Sequence, residues 1–102
     1  MTVIVKGTTP TIVYTFRAVD PSEFVKAYVT IRQNGSVILE KTLRDAEIGD
    51  GKISWTLTQE ETLDFARGKI TARLNWKTAD GTRGVSTRSV ILIEDNEKKE
   101  VI

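Results

Sequence analysis

Apolar and polar residues alternate with period two over residues 52–58 and 69–77, the signature of strands with one packed face and one wet face. In the first stretch Ile53, Trp55 and Leu57 oppose Lys52, Ser54 and Thr56. In the second, Ile70, Ala72, Leu74 and Trp76 oppose Lys69, Thr71, Arg73, Asn75 and Lys77. Residues 11–17 follow the same rule through Ile12, Tyr14 and Phe16, and residues 26–32 through Ala27, Val29 and Ile31. Residues 3–6 predict a short edge strand. Proline cannot donate to a ladder, so Thr8, Thr9 and Pro10 predict a break or a change of partner after it. Residues 83–94 predict a single last strand.

Asn34-Gly35 and Asp80-Gly81 mark two hairpin turns, because these pairs accept positive φ at low cost. The buried faces favour a bulged three-residue loop at the first, matching Val29 with Leu39 and Ile31 with Val37 and leaving Ile38 exposed. At the second they favour a two-residue loop, with Trp76 opposite Val85, Leu74 opposite Thr87, Ile70 opposite Ile91, and Arg73 opposite Arg88. Asp20 predicts a cap for a turn starting at Pro21, and Thr58 with Glu61 has the capping-box pattern for a helical turn over 59–66, ended by Gly68. That turn is too short to cover a sheet and is expected to bridge two sheets, with Leu63 and Phe65 plugging the end. The fold class expected is all-β: an antiparallel immunoglobulin-like sandwich of about seven strands with one or two short helical turns. A small barrel is the alternative.

The chain has 102 residues, enough for one domain, read as a sandwich over 1–94 followed by a polar tail over 95–102. Such a domain has a thin core, and self-association would add to its stability. Lysine plus arginine number 15 against 14 acids, so net charge attracts neither nucleic acid nor an anionic membrane. No apolar run reaches the ~20 residues that span a bilayer, and the first residues lack the pattern of a secretory signal, so a soluble protein is expected.

There is no cysteine and no histidine. That removes disulfides, thiolate metal sites and cysteine nucleophiles, and with them the usual metal ligand and the usual general base near neutral pH. The acids at Glu60, Glu61 and Asp64, at Asp45, Glu47 and Asp50, and at Glu94, Asp95 and Glu97 fall in polar turns or the tail and read as solvated groups. The middle set lacks the spacing of a calcium loop, and no phosphate-binding glycine motif is present. No catalytic residue, cofactor or metal is expected. Trp55 and Trp76 lie on apolar faces and read as core.

Between residues 67 and 88 stand Arg67, Lys69, Arg73, Lys77, Arg83 and Arg88 against the single acid Asp80. Lys69, Arg73, Asn75, Lys77, Ser86 and Arg88 form a candidate interaction surface, continued by Val90 and Leu92 on a segment that is apolar on both sides. The bland reading is a solvated strand face. The patch shows no aromatics interleaved for base stacking, so nucleic acid is not expected as a partner.

The segments Lys6-Gly7-Thr8-Thr9-Pro10-Thr11, Tyr28-Val29-Thr30 with Gln33-Asn34-Gly35, Leu57-Thr58-Gln59-Glu60-Glu61-Thr62-Leu63, Asn75-Trp76 and Ala79-Asp80-Gly81-Thr82-Arg83 resemble small uncharacterised proteins of tail and baseplate gene clusters in phages and prophages of Gram-positive bacteria. The resemblance runs nearly end to end and contains no catalytic motif. It implies a virion or assembly component: a structural subunit or adaptor that self-associates or docks to other phage structural proteins, assembled in the bacterial cytoplasm. The alternative expectation is a free-standing immunoglobulin-like module binding a protein or carbohydrate through loops around Asn34, Asp50 and Asp80.

Overall fold

A computed structural model describes residues 2–102. Nine strands form two sheets, and the order of elements follows the alternation in the sequence: β1 (Thr2–Val5), β2 (Thr11–Thr15), β3 (Phe24–Gln33), β4 (Ser36–Thr42), β5 (Glu47–Gly49), β6 (Lys52–Thr56), the helix α1 (Gln59–Leu63), β7 (Gly68–Thr78), β8 (Arg83–Val85) and β9 (Ser89–Glu94). The larger sheet has the order β1-β9-β7-β3-β4, with β8 also paired to β7, and the smaller has the order β2-β6-β5. All pairings are antiparallel except β1 with β9. The expected sandwich is therefore present, and Pro10 stands where the chain passes from one sheet to the other.

The inward positions of both sheets meet in one core. Val29, Ile31, Ile70, Leu74 and Ile93 of the larger sheet face Ile53 and Trp55 of the smaller and Leu57 just after it, all buried. The indole N–H of Trp55 donates to the carbonyl oxygen of Thr42 at 2.8 Å, so its polar edge is satisfied inside the core. Trp76 is only half-buried; it stacks on Phe24 with ring centroids 5.0 Å apart and meets Phe16 edge-on at 5.9 Å. Helix α1 crosses from the smaller sheet to the larger. Its capping box forms as expected, with the Thr58 hydroxyl accepting from Glu61 N and the Glu61 carboxylate accepting from Thr58 N. The helix stops at Leu63, and the plugs at this end are Phe65 and Thr62, not Leu63. Asp20 caps a 3-10 turn over Pro21–Glu23. A second 3-10 turn, Leu43–Asp45, and the short β5 have no clear periodicity in the sequence.

Both hairpin expectations are corrected, for one reason. The first turn has a two-residue loop, Asn34 and Gly35 at φ 53° and 80°, closed by Gln33 opposite Ser36. The register then shifts at Ile38, so Ile31 lies opposite Leu39 and Val29 opposite Lys41, where Val37 and Leu39 were expected. The second loop holds three residues, with Thr78 N donating to Thr82 O at 2.9 Å, so Trp76 faces Gly84 instead of Val85. A bulge over residues 86–88 then returns Ile70 to Ile91 as expected. Arg88 lies in that bulge, outside the ladder, and is not opposite Arg73. Residues 83–94 are thus two strands, not one.

Candidate functional site

The outer face of the larger sheet collects most of the singled-out residues. Lys69, Arg73, Asn75 and Lys77 occupy alternate outward positions of β7, and Lys69, Arg73 and Lys77 recur every four residues, about 13 Å apart. Register places Lys69 opposite Leu92 of β9, Thr71 opposite Val90, and Arg73 opposite Thr30 of β3. Val90 is 43% exposed, so this face of β9 is open, where the sequence suggested a strand covered on both sides. Ser86 does not join the face: its hydroxyl accepts from Leu74 N at 2.9 Å and donates to Thr87 O at 3.0 Å, holding the bulge.

Residues of β3 complete the patch, and sequence reasoning left them out. Lys26 lies directly opposite Lys77, and Lys77 directly opposite Arg83, so three cations form one row across three strands. Like charges in such positions, with Cβ atoms about 5 Å apart, destabilise a sheet by roughly 0.2–1 kcal/mol per pair. The row borders an open depression of about 260 Å³ whose other walls are Tyr28, Asn75 and Trp76. At the far end Arg32, Lys69 and Arg88 line a second depression of about 540 Å³ with Gln33, Asn34, Gly35 and Thr71. Neither depression contains a carboxylate. The signal available in the sequence was the parity of β3: once Ala27, Val29 and Ile31 point inward, Lys26, Tyr28 and Arg32 must point outward.

None of these cations makes an ion pair with a described residue. Among the described residues the ion pairs are Lys41 with Glu61, at 2.6 Å, and Lys98 with Glu100, both away from the patch. Glu40, which shares the face, accepts from the Thr30 hydroxyl at 3.0 Å, and Arg32 donates to the Gly35 carbonyl at 2.8 Å. Exposed Tyr28, Val85, Val90, Val3 and Val37 are interspersed among the charges or border them.

A third cleft, of about 580 Å³, lies beside the Pro21–Glu23 turn and includes Arg17, Asp20, Glu23 and Asp80. Two of its carboxylates, Asp20 and Asp80, are engaged in their own turns. Asp20 accepts from Ser22 N. Asp80 accepts from the Thr78 hydroxyl and from Thr82 N, which hold its pKa down to about 2. Among the described residues, no group of three or more carboxylates stands together as a metal site would require. The loops at Asn34 and Asp80 sit at opposite ends of the ten-residue β3, roughly 30 Å apart. They cannot form the single loop site that the alternative reading required.

No protein-family model matches the chain, and no curated protein does. Among solved structures, the crystal structure of CopC from Methylosinus trichosporium OB3b is similar to this chain with a TM-score of 0.59 at 13% identity, over 95% of this chain and 86% of that one. The likeness is one of fold, a β-sandwich. It also corrects the expectation drawn from the phage resemblance: the similar structure is CopC, not a tail or baseplate component, and the reading as a phage structural subunit is withdrawn.

Proposed function

We propose that this chain is a non-enzymatic docking domain whose larger sheet presents a basic outer face to an acidic surface of another protein. The observation that carries the reading is the row Lys26–Lys77–Arg83, three cations held directly opposite one another with no carboxylate beside them. A fold tolerates such crowding at a functional surface more readily than elsewhere, since an incoming anion converts the repulsion into attraction. The exposed valines and Tyr28 favour a protein over a nucleic acid: they give apolar contact between the charges, whereas a surface for bases would carry several stacking rings. The lack of histidine and cysteine, together with carboxylates committed to turn capping, supports a role without catalysis.

The reading is tested by equilibrium binding to a glutamate-rich peptide. Replacing Lys26, Lys77 and Arg83 together by threonine should weaken binding at least about tenfold, while Lys52→Thr, on the smaller sheet, leaves it unchanged. Unaltered binding by the triple variant, or tighter binding to a single-stranded oligonucleotide than to the peptide, contradicts it.

A further inference from the structure

The edge strands β1, β4, β8, β5 and β2 are not equally protected. An edge strand exposes unpaired backbone groups, and proteins blunt such edges with charges, bulges, prolines or very short strands. β4 has its bulge at Ile38 and the charged pair Glu40 and Lys41. β5 and β8 are three residues long and β1 four. β2, Thr11-Ile12-Val13-Tyr14-Thr15, has none of these devices: it is uncharged, contains no proline, and pairs with β6 in unbroken register at all five positions.

Its free side is regular. Leu57 N donates to Pro10 O at 2.9 Å and Phe16 N donates to Gly51 O at 2.8 Å, so the even-numbered residues of this strand turn their backbone groups to β6. The N–H and C=O groups of Thr11, Val13 and Thr15 therefore face outward along the edge. Beside them runs an open groove of about 240 Å³ between β2 and β1, lined by Val3, Ile4, Ile12, Val13, Tyr14 and Ile91 among others. Val3 is 47% and Val13 51% exposed.

The strand is also complementary to itself when reversed. We infer that two copies of this chain associate through β2, antiparallel about a two-fold axis at Val13, joining the two smaller sheets into one continuous sheet. In that register Val13 faces Val13 of the partner subunit, and Thr11 faces Thr15 of the partner subunit. Ile12 then faces Tyr14 of the partner subunit. The residues with free backbone groups are the ones that become hydrogen-bonded pairs, two bonds in each of three pairs. Threonine lies opposite threonine and an aromatic opposite a β-branched residue, both favourable cross-strand pairs, and no like charges meet. The contact is isologous and closes at two subunits. It goes beyond the docking role, which the basic face performs on the other sheet, and the dimer would present that face twice.

Sedimentation across protein concentration tests this. The unaltered chain dimerises; Val13→Lys, at a half-exposed position, keeps the circular-dichroism spectrum and weakens dimerisation at least about tenfold, as does Val13→Glu. Mixing Val13→Lys with Val13→Glu restores dimers, because opposite charges then meet at the axis. Ile38→Lys on β4 leaves association unchanged. A chain that stays monomeric at millimolar concentration overturns the inference, as does a Val13→Lys variant that dimerises as well as the parent, or loss of association on Ile38→Lys.

Discussion

The indole of Trp76 lies against Gly84 on the neighbouring strand: a Cβ built on that glycine would stand 2.1 Å from Cζ2 of the ring. Glycine is needed there for space, since only its lack of a side chain lets the indole lie across β8 and stack on Phe24. Gly84→Ala must push the ring off Phe24 and is expected to destabilise the fold by about 1–3 kcal/mol in denaturant unfolding, the range of an overpacked core. An unchanged midpoint would mean that the ring has another place to go.

Thr62 ties the helix to the chain between the sheets. Its buried hydroxyl accepts from Gly7 N at 3.0 Å and donates to Thr8 O at 2.8 Å. Thr62→Val keeps the shape and leaves both backbone groups without that partner, so a loss of about 1–3 kcal/mol is expected by thermal or chemical unfolding.

Asp80 makes the hairpin acid-sensitive. Its pKa is about 2 in the folded chain against 3.8 ordinarily, so its contribution is present above about pH 4 and is lost as pH falls towards 2. In Asp80→Asn, stability measured against pH should lose this part of the acid decline between those limits. A parallel decline in both proteins would assign the effect to other carboxylates.

Much of the sandwich was legible in the sequence because alternation with period two reports directly which side of a strand is packed. The capping box at Thr58 and Glu61 and the caps at Asp20 were legible for a similar reason, as they are local hydrogen-bond chemistry. The hairpin loops were not. A single register was assumed along each hairpin, whereas bulges at Ile38 and at residues 86–88 let the tip follow turn geometry and the body follow the core. The same assumption misplaced the like-charge contact, putting Arg73 against Arg88 when the crowded row is Lys26, Lys77 and Arg83. Lys26 and Arg32 join the patch only through pairing between β3 and β7, strands more than 30 residues apart in the chain.

The crowded row should also cost stability. Lys77→Thr removes the central charge and both like-charge contacts, and is expected to raise stability by roughly 0.2–1 kcal/mol at low salt, with the gain shrinking as salt screens the charges. A loss of stability would mean that the lysine stem contributes packing that outweighs the repulsion.

The most direct measurement of the docking claim is a backbone NMR titration of the chain with a glutamate-rich peptide at low and at high salt. Docking through this face produces shifts concentrated at Lys26, Tyr28, Asn75, Lys77 and Arg83 on the outer face of the larger sheet, present at low salt and largely abolished at high salt. Shifts confined to the loops at Asn34, Asp50 or the tail, or no shifts at either salt concentration, would contradict it.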